Sequence, residues 1–249
     1  MPRTVKPEER EAKRKEILDA TQRLVVTKGY ERMTIQDILA ELRISSGAFY
    51  HYFGSKPEVL DALVERIKEE SGAPLLKVVR DPTLSAAEKL SGFFLTLDQM
   101  RVQRQAVVLE LLQVWYDDSN AIVRQKVEAA TTAWRAPLIA EIARQGVREG
   151  AFSTPFPDQA GTLVLALANA LSVAHAKLML AFPNDPDESR FINEVLTLHA
   201  AFVDAIERVL GTSPGTLPRA EAAVVELWIK AMQYQGAAQS GAAEPGRTR

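Results

Sequence analysis

The 249-residue chain contains no cysteine and only three histidines. Without cysteine there can be no disulfide, no thiolate metal site and no cysteine nucleophile, and such a composition suits a protein of the reducing cytoplasm. The histidines, His51, His175 and His199, are isolated, and neither a Glu-x-x-His pattern nor a phosphate-binding glycine loop occurs. These absences argue against a di-iron bundle and an NTPase. We therefore predict no cofactor, no metal site and no enzymatic activity.

Strand patterns and secretory or membrane signals are also missing. No segment alternates apolar and polar residues between hairpin turns, and the N-terminal segment is charged rather than apolar. The apolar stretch Leu163–Phe182 approaches the length of a membrane span, but Lys177 and other polar residues interrupt it. A lysine near the centre of a span costs about 2.5 to 3.5 kcal/mol on insertion scales. We therefore predict a cytoplasmic, all-α protein that does not enter a membrane.

Apolar residues at helical spacing, together with capping and stop signals, predict ten helices. They lie at about 7–28, 35–42, 46–53, 55–72, 85–101, 104–116, 120–149, 158–182, 186–210 and 218–235. The motif Gly211–Gly215 fits G-x-S-x-G, but it would join two helices rather than a strand and a helix, so we interpret it as a linker. The tail 236–249 is rich in Ala, Gly, Gln and Ser, and we expect it to be disordered.

The most informative segment is Thr34–Phe53, where two short helices are joined by a tight corner. The first helix carries one apolar stripe, which consists of Ile35, Ile38, Leu39 and Leu42. Thr34 is a good N-cap for it and is followed three residues later by Asp37. This helix is therefore expected to pack against the core.

The second helix of the segment follows the corner at Arg43 and Ile44, and Ser45 can cap it. Its apolar side chains, Phe49 and Phe53, point in one direction. Four residues point elsewhere and leave one face free: Ser46, Gly47, Tyr50 and His51. Two helices arranged in this way place one of them in a DNA groove.

The segment and its flanks resemble the DNA-binding region of the TetR/AcrR family of transcriptional regulators. The resemblance spans about Ile17 to Val64, and its ordered motifs are Ile17–Ala20, Gly29–Tyr30, Thr34–Ile38, Ile44–Phe53 and Ser55–Leu60. Two positions depart from the family pattern, because Arg43 replaces the usual corner glycine and Ser46 replaces a frequent lysine. A left-handed conformation at Arg43 would cost about 1 to 2 kcal/mol relative to glycine. Ser46 removes one expected contact to DNA.

The resemblance implies an N-terminal three-helix DNA-binding domain at 1–54 and a helical bundle for ligand binding and dimerisation at 55–235. It also implies a repressor that binds a palindromic operator as a homodimer and is released by a small-molecule effector. The charge distribution agrees, since residues 1–56 carry 11 Lys and Arg against 8 Asp and Glu, whereas the remainder carries 19 against 24. Local positive charge favours contact with phosphates.

The residues that match the family's DNA-contact positions are Thr34, Gln36, Ser45, Ser46, Gly47, Ala48, Tyr50, His51 and Lys56. Thr34, Tyr50 and Lys56 can donate hydrogen bonds to phosphate oxygens. Gln36 and Ser46 are the better candidates for reading bases, and Ala48 could contact a thymine methyl group. Gly47 would let the backbone approach the groove.

For the effector, the bundle offers large apolar side chains with a few polar groups, as a small-molecule pocket requires. The candidates are Phe93, Met100, Trp115, Tyr116, Trp134, His175 and Met179. Such residues are also what any core needs, and for each of them a place in an ordinary core is the more common role.

Dimerisation is predicted through the helices at about 158–182 and 186–210. The second of them carries two apolar rows, which are Phe191, Val195, Leu198 and Phe202, and Ile192, Leu196, Val203 and Ile206. A helix with two apolar faces needs two partners, and one of these can be the second subunit.

Two alternative functions remain open. One is a helical small-molecule-binding protein or enzyme with a vestigial DNA-binding domain, which the departures at Arg43 and Ser46 would favour. The other is a dimeric scaffold for a protein partner, which an absence of any ligand cavity would favour.

Overall fold

The computed structural model describes residues 7–184 and 186–241. Within these ranges the chain is all-α, as predicted. The helices are α1 (Pro7–Lys28), α2 (Ile35–Leu42), α3 (Ser46–Tyr50), α4 (Lys56–Val79), α5 (Ala86–Gln103), α6 (Gln105–Trp115), α7 (Ala121–Glu149), α8 (Pro157–Ala181), α9 (Glu188–Leu210) and α10 (Ala222–Gly241). Two short 3-10 turns lie at Asp118–Asn120 and Phe182–Asn184.

Four helices differ from the prediction at their ends. Helix α3 ends at Tyr50 rather than at residue 53. Helix α4 does not end near residue 72 but continues through Pro74 to Val79, because Leu75 and Val79 are buried in a hydrophobic cluster whose packing outweighs the helix-breaking effect of proline. Helix α9 begins at Glu188 with Asp187 as its N-cap, two residues later than predicted. Helix α10 is shifted towards the C-terminus and includes residues 236–241. That part of the tail is therefore helical, and residues 242–249 lie outside the described residues.

The chain forms two compact units, and the first consists of Met1–Ser71 with Gln113–Thr131. Its core contains Ile17, Leu18, Ile38, Phe49, Phe53, Val59, Leu60, Leu63 and Val123, all buried. The first half of α4 shares this core through Val59, Leu60 and Leu63. The unit also includes a segment, 113–131, whose participation no local pattern indicates.

The second unit consists of Gly72–Leu112 with Thr132–Arg249. Its larger cluster includes Leu90, Phe93, Ile139, Ile142, Val164, Ile206 and Leu210. Helices α8 and α9 pack against each other, and α10 packs on α9 and on the Phe182–Asn184 turn. In this way α10 completes a second cluster, which contains Leu109, Phe182, Phe191, Val225 and Ile229.

The linker before α10 is held to α9 by a buried carboxylate. Glu207 is only 2% exposed and accepts hydrogen bonds from the Leu217 N–H at 2.9 Å and from Arg219 at 3.1 Å. Arg219 also donates to the Ala200 carbonyl at 2.7 Å. The G-x-S-x-G motif lies in this linker between two helices, as predicted.

Among the described residues, one segment, Pro157–Asn184, is long and apolar enough to cross a membrane on length and composition alone, and 17% of its most apolar window is buried within the chain. The other residues of α8 are partly buried or exposed in this single chain. Its exposed positions include Leu163, Ala166 and Ala170, which recur at helical spacing and form one stripe.

Candidate nucleic-acid interface

The start of α2 is fixed by a capping box between Thr34 and Asp37. The Thr34 hydroxyl accepts a hydrogen bond from the Asp37 N–H at 3.2 Å, and the Asp37 carboxylate accepts one from the Thr34 N–H at 2.8 Å. Lys28 also donates to this carboxylate at 2.5 Å. The hydrogen bond from Lys28, followed by those from Thr34, lowers the pKa of Asp37 to about 2. Gln36 projects from the same turn and is exposed.

The corner between α2 and α3 places Arg43 in the left-handed region, with φ 53° and ψ 43°. Arg43 is the only non-glycine residue with positive φ among the described residues. An arginine therefore adopts here the left-handed geometry that glycine adopts without strain, at a cost of about 1 to 2 kcal/mol relative to glycine.

Helix α3 buries one face and exposes the other. Phe49 and Phe53 are 0% and 1% exposed, whereas Tyr50 is 52% exposed although its ring packs edge-on against Phe49, with centroids 5.4 Å apart. The Ser45 hydroxyl accepts a hydrogen bond from the Ala48 N–H at 3.2 Å, so Ser45 is the N-cap, as predicted. Three further predicted contact residues are exposed: Ser46, Gly47 and His51.

The surface beside Gly47 is open. No heavy atom of the described chain lies within 4 Å of the position that a Cβ atom would take at Gly47. The absence of a side chain at this position therefore has no packing reason in the free protein. A closely approaching ligand backbone would provide one.

Lys56, the first residue of α4, is partly buried rather than extended into solvent. Its ammonium lies 4.3 Å from the centroid of the Tyr30 ring and donates to the Glu31 carbonyl at 3.3 Å. Burial lowers the pKa of Lys56, and the nearby carboxylates of Glu31 and Asp37 oppose this effect. The ammonium is thus held in place by the turn that follows α1.

The N-terminus of α4 is capped by the side chains of Ser55 and Glu58. The Ser55 hydroxyl accepts from the Glu58 N–H at 3.3 Å. The Glu58 carboxylate accepts from the Gly54 N–H at 2.6 Å, one residue earlier than in a regular capping box.

Sequence reasoning missed two residues that support this surface, Tyr30 and Asn120. Tyr30 was recognisable only as part of a Gly-Tyr motif, and its contact with Lys56 is not local. Asn120 is 1% exposed and binds the backbone of Tyr30, 90 residues away in sequence. A lone asparagine after an apolar helix gives no signal of such a contact.

The seven predicted effector residues are distributed over both units. Trp115 and Tyr116 belong to the first unit. In the second unit, Phe93 and Trp134 lie in or against the larger cluster, and Met179 packs against the smaller one. Met100 and His175, the remaining two, are partly buried on α5 and α8.

His175 is the most unusual of them. Its ring stacks on His199 of α9, with centroids 6.3 Å apart and planes 6° apart. Its Nε2 atom is buried and makes no hydrogen bond within the described chain. Burial, with smaller effects of His199 and Arg101, lowers the pKa of His175 to about 4, so the imidazole is neutral at pH 7.

The surface grooves of the described residues include one in each unit. The first, of about 610 Å³, lies between α1 and α4 and is lined mainly by charged residues such as Glu8, Arg14 and Glu69. The second, of about 460 Å³, lies between α7 and α8. None of the seven predicted effector residues lines either groove.

Comparison with known proteins agrees with this geometry. Residues 17–63 match the sequence profile described as "Bacterial regulatory proteins, tetR family". The HTH-type transcriptional repressor KstR2 of Mycobacterium tuberculosis is 26% identical over 145 residues, which cover 57% of this chain and 70% of the repressor.

Solved structures share the fold. The structure of SmeT in complex with triclosan matches 85% of this chain and 97% of SmeT, with a TM-score of 0.59 and 16% identity. A TetR-family regulator from Pectobacterium atrosepticum matches 84% of this chain and all of that chain (100%), with a TM-score of 0.54 and 18% identity. At these identities the likeness concerns the fold alone.

Proposed function

Because the chain belongs to the TetR/AcrR family of transcriptional regulators, we propose that it is a cytoplasmic repressor that binds a palindromic operator as a homodimer and is released by a small-molecule effector. The observation that carries the DNA-binding part is the exposed edge of α3. Ser46, Gly47, Tyr50 and His51 are solvent-exposed, while the phenylalanines behind them are buried. A helix so anchored can enter a major groove without disturbing its own core.

The nine predicted contact residues have distinct proposed roles. Tyr50 and Lys56 bind phosphates, and Thr34 and Ser45, whose hydroxyls cap helices, hold α2 and α3 at the correct angle. Gln36 and Ser46 read base edges, with Ala48 and His51 beside them. Gly47, which has no side chain, lets the backbone of α3 come close to the DNA.

Dimerisation is proposed through α8 and α9. The support is the uncovered apolar stripe on α8, whose Leu163 is 49% exposed, together with the partly exposed Leu198 and Phe202 on α9. Contiguous apolar surface of this kind is typical of protein interfaces. Two copies paired about a two-fold axis would present two α3 helices, as a palindromic operator requires.

The dimer is tested by placing a charge in the stripe. Ala170→Glu should convert the protein to monomers in sedimentation equilibrium, because an unpaired carboxylate would be buried in the interface. Gln125→Glu, which adds the same charge at an exposed position of α7, should remain dimeric. A dimeric Ala170→Glu protein would contradict the proposed interface.

The effector is proposed to bind in the second unit and to contact His175. A buried imidazole nitrogen without a hydrogen-bond partner is rare in folded proteins, and a polar ligand group would satisfy it. That SmeT has been solved with triclosan shows a small molecule bound to a protein of this fold. Binding would favour one arrangement of the bundle and thereby lower the affinity for DNA, since the two affinities are reciprocally coupled.

The decisive experiment is footprinting on the DNA that flanks the protein's own gene, followed by titration of the protected duplex at increasing salt. We expect protection of two half-sites about 34 to 36 Å apart or at a multiple of this spacing. The affinity for the protected duplex should be well above the affinity for a random duplex of equal length. Equal affinity for both duplexes at every salt concentration would favour a protein with a vestigial DNA-binding domain instead.

A further inference from the structure

Asn120 is a buried polar residue whose side chain joins three backbone segments. Its Oδ1 accepts the Tyr30 N–H at 2.7 Å, and its Nδ2 donates to the carbonyls of Val114 at 2.9 Å and Val25 at 3.3 Å. Asparagine suits this position because it combines an acceptor with two donors. Asn120 thus connects the end of α1, the turn after it and the end of α6.

Residues next to Asn120 contact the same turn, Gly29–Glu31. The Glu31 N–H donates to the Ser119 carbonyl at 3.1 Å. Gly29 has φ 79°, and a Cβ atom built on it would lie 2.1 Å from the Ser119 hydroxyl. Asp117 in turn accepts a hydrogen bond from the Ser119 N–H at 2.8 Å. These contacts hold the turn Gly29–Glu31 closely against the loop Asp117–Asn120.

The opposite side of this turn holds Lys56. The Tyr30 ring and the Glu31 carbonyl both contact the ammonium, at 4.3 Å and 3.3 Å. Tyr30 is 8% exposed, so its ring has little freedom to move by itself. An ammonium carries three donors, and these contacts leave it able to donate to a further acceptor such as a phosphate oxygen. The position of that donor depends on the position of Tyr30.

The loop that contains Asn120 is continuous with helices of the second unit. Residues 113–131 belong to the first unit, whereas the chain before and after them, in α6 and α7, belongs to the second. Both helices are thus covalently attached to the loop that binds Tyr30.

We propose that Asn120 is a positioning residue for DNA binding, which fixes the Tyr30 backbone and thereby sets where the Lys56 ammonium meets a DNA phosphate. The inference rests on the proposed function, because it takes Lys56 as a phosphate contact. It adds a residue outside the helix-turn-helix sequence to the DNA-binding apparatus.

The first experiment examines the full-length protein without DNA. The Tyr30 ring current should shift the Lys56 side-chain NMR signals upfield, and Lys56→Met assigns them by their loss. In Asn120→Ala these signals should move towards those of exposed lysines. In Asp118→Asn, an exposed change in the same 3-10 turn, they should stay in place. Unchanged Lys56 signals in Asn120→Ala would overturn the proposal.

The second experiment is a double-mutant cycle, measured by fluorescence anisotropy on the footprinted duplex. Lys56→Met should weaken binding about tenfold and reduce the salt slope by about one unit for each phosphate that Lys56 no longer neutralises. Asn120→Ala should reproduce much of this effect in the parent protein. It should cause little further weakening in the Lys56→Met background, since coupled residues are not additive.

The outcomes distinguish the proposed phosphate contact of Lys56 from the proposed positioning role of Asn120. If Lys56→Met changes neither affinity nor slope, the proposed phosphate contact is wrong, and with it the role of Asn120 in binding DNA. If Lys56→Met weakens binding but Asn120→Ala does not, or weakens both backgrounds equally, the positioning role alone is wrong. Should Asn120→Ala fail to fold, Asn120→Leu keeps a similar side-chain volume, adds no charge and removes the acceptor for the Tyr30 N–H. It is then compared in the same two Lys56 backgrounds.

Discussion

The N–H of Ile44 donates to the carbonyl of Leu39 at 3.1 Å and closes the corner between α2 and α3. This hydrogen bond spans five residues and is the longer one of a Schellman motif, in which the residue between helix and loop adopts the left-handed conformation. Here that residue is Arg43. The angle at which α3 leaves α2 therefore depends on a backbone conformation that arginine adopts at a cost.

Arg43→Gly should stabilise the protein by about 0.5 to 1 kcal/mol. Glycine removes the strain of the left-handed conformation, which stabilises the folded state. This gain in free energy is larger than the cost that arises because glycine raises the entropy of the unfolded chain. Urea denaturation measures the change. Arg43→Ala is the matched control, because it removes the same charge but retains the Cβ atom, and it should give no gain. Equal stabilisation by both variants would assign the effect to charge instead.

Gly47→Ala should leave the melting temperature unchanged or slightly higher, because the added methyl group meets open space and alanine favours a helix. On the proposed interface the methyl group would meet the DNA backbone. We therefore expect weaker binding to both operator and random duplex. A variant that is stable and binds both duplexes normally would show that DNA does not approach this surface closely.

Tyr50→Phe should weaken binding to operator and random duplex alike, by about three- to tenfold, through loss of one hydroxyl hydrogen bond to phosphate. The ring contact with Phe49 is retained, so stability should not change. Gln36→Ala should instead reduce operator binding selectively and relax the base preference, which a bind-and-select experiment on randomised duplexes would reveal. Equal losses by both variants on both duplexes would refute this division of roles.

Local sequence features predicted most of the first unit. Thr34 and Ser45 are recognisable as N-caps, and the stripe that contains Ile38 identifies the buried face of α2, because these signals lie within one or two turns of the residues that they fix. The contact of Asn120 with Tyr30 could not be predicted. The two residues are 90 positions apart, and no sequence motif contains both of them.

The second unit was less predictable for the same reason. Its helices are visible from periodicity, but apolar side chains look alike in a core and in a binding site. Nothing in the sequence separates Phe93, which is fully buried, from His175, which retains a buried nitrogen without a partner in the described chain. The sequence analysis did not predict that α10 continues to Gly241. The tail contains few large apolar residues, but its alanine and glutamine residues have a high helix propensity.

The pKa of His175 predicts how stability depends on pH. Its value of about 4 in the folded protein lies below the usual value of about 6.5, so between these pH values the unfolded chain binds a proton that the folded chain does not. Stability should therefore fall as the pH falls from about 7 to 5, with His175 contributing at most about 2 kcal/mol. Urea denaturation of the parent and of His175→Gln at both pH values isolates this contribution from that of the carboxylates. His199, whose pKa burial also lowers, remains in both proteins, so the variant should lose only part of the pH dependence. An identical pH dependence in both proteins would mean that His175 is protonated with equal ease in the folded and unfolded states, and that its imidazole is not held in a desolvated site.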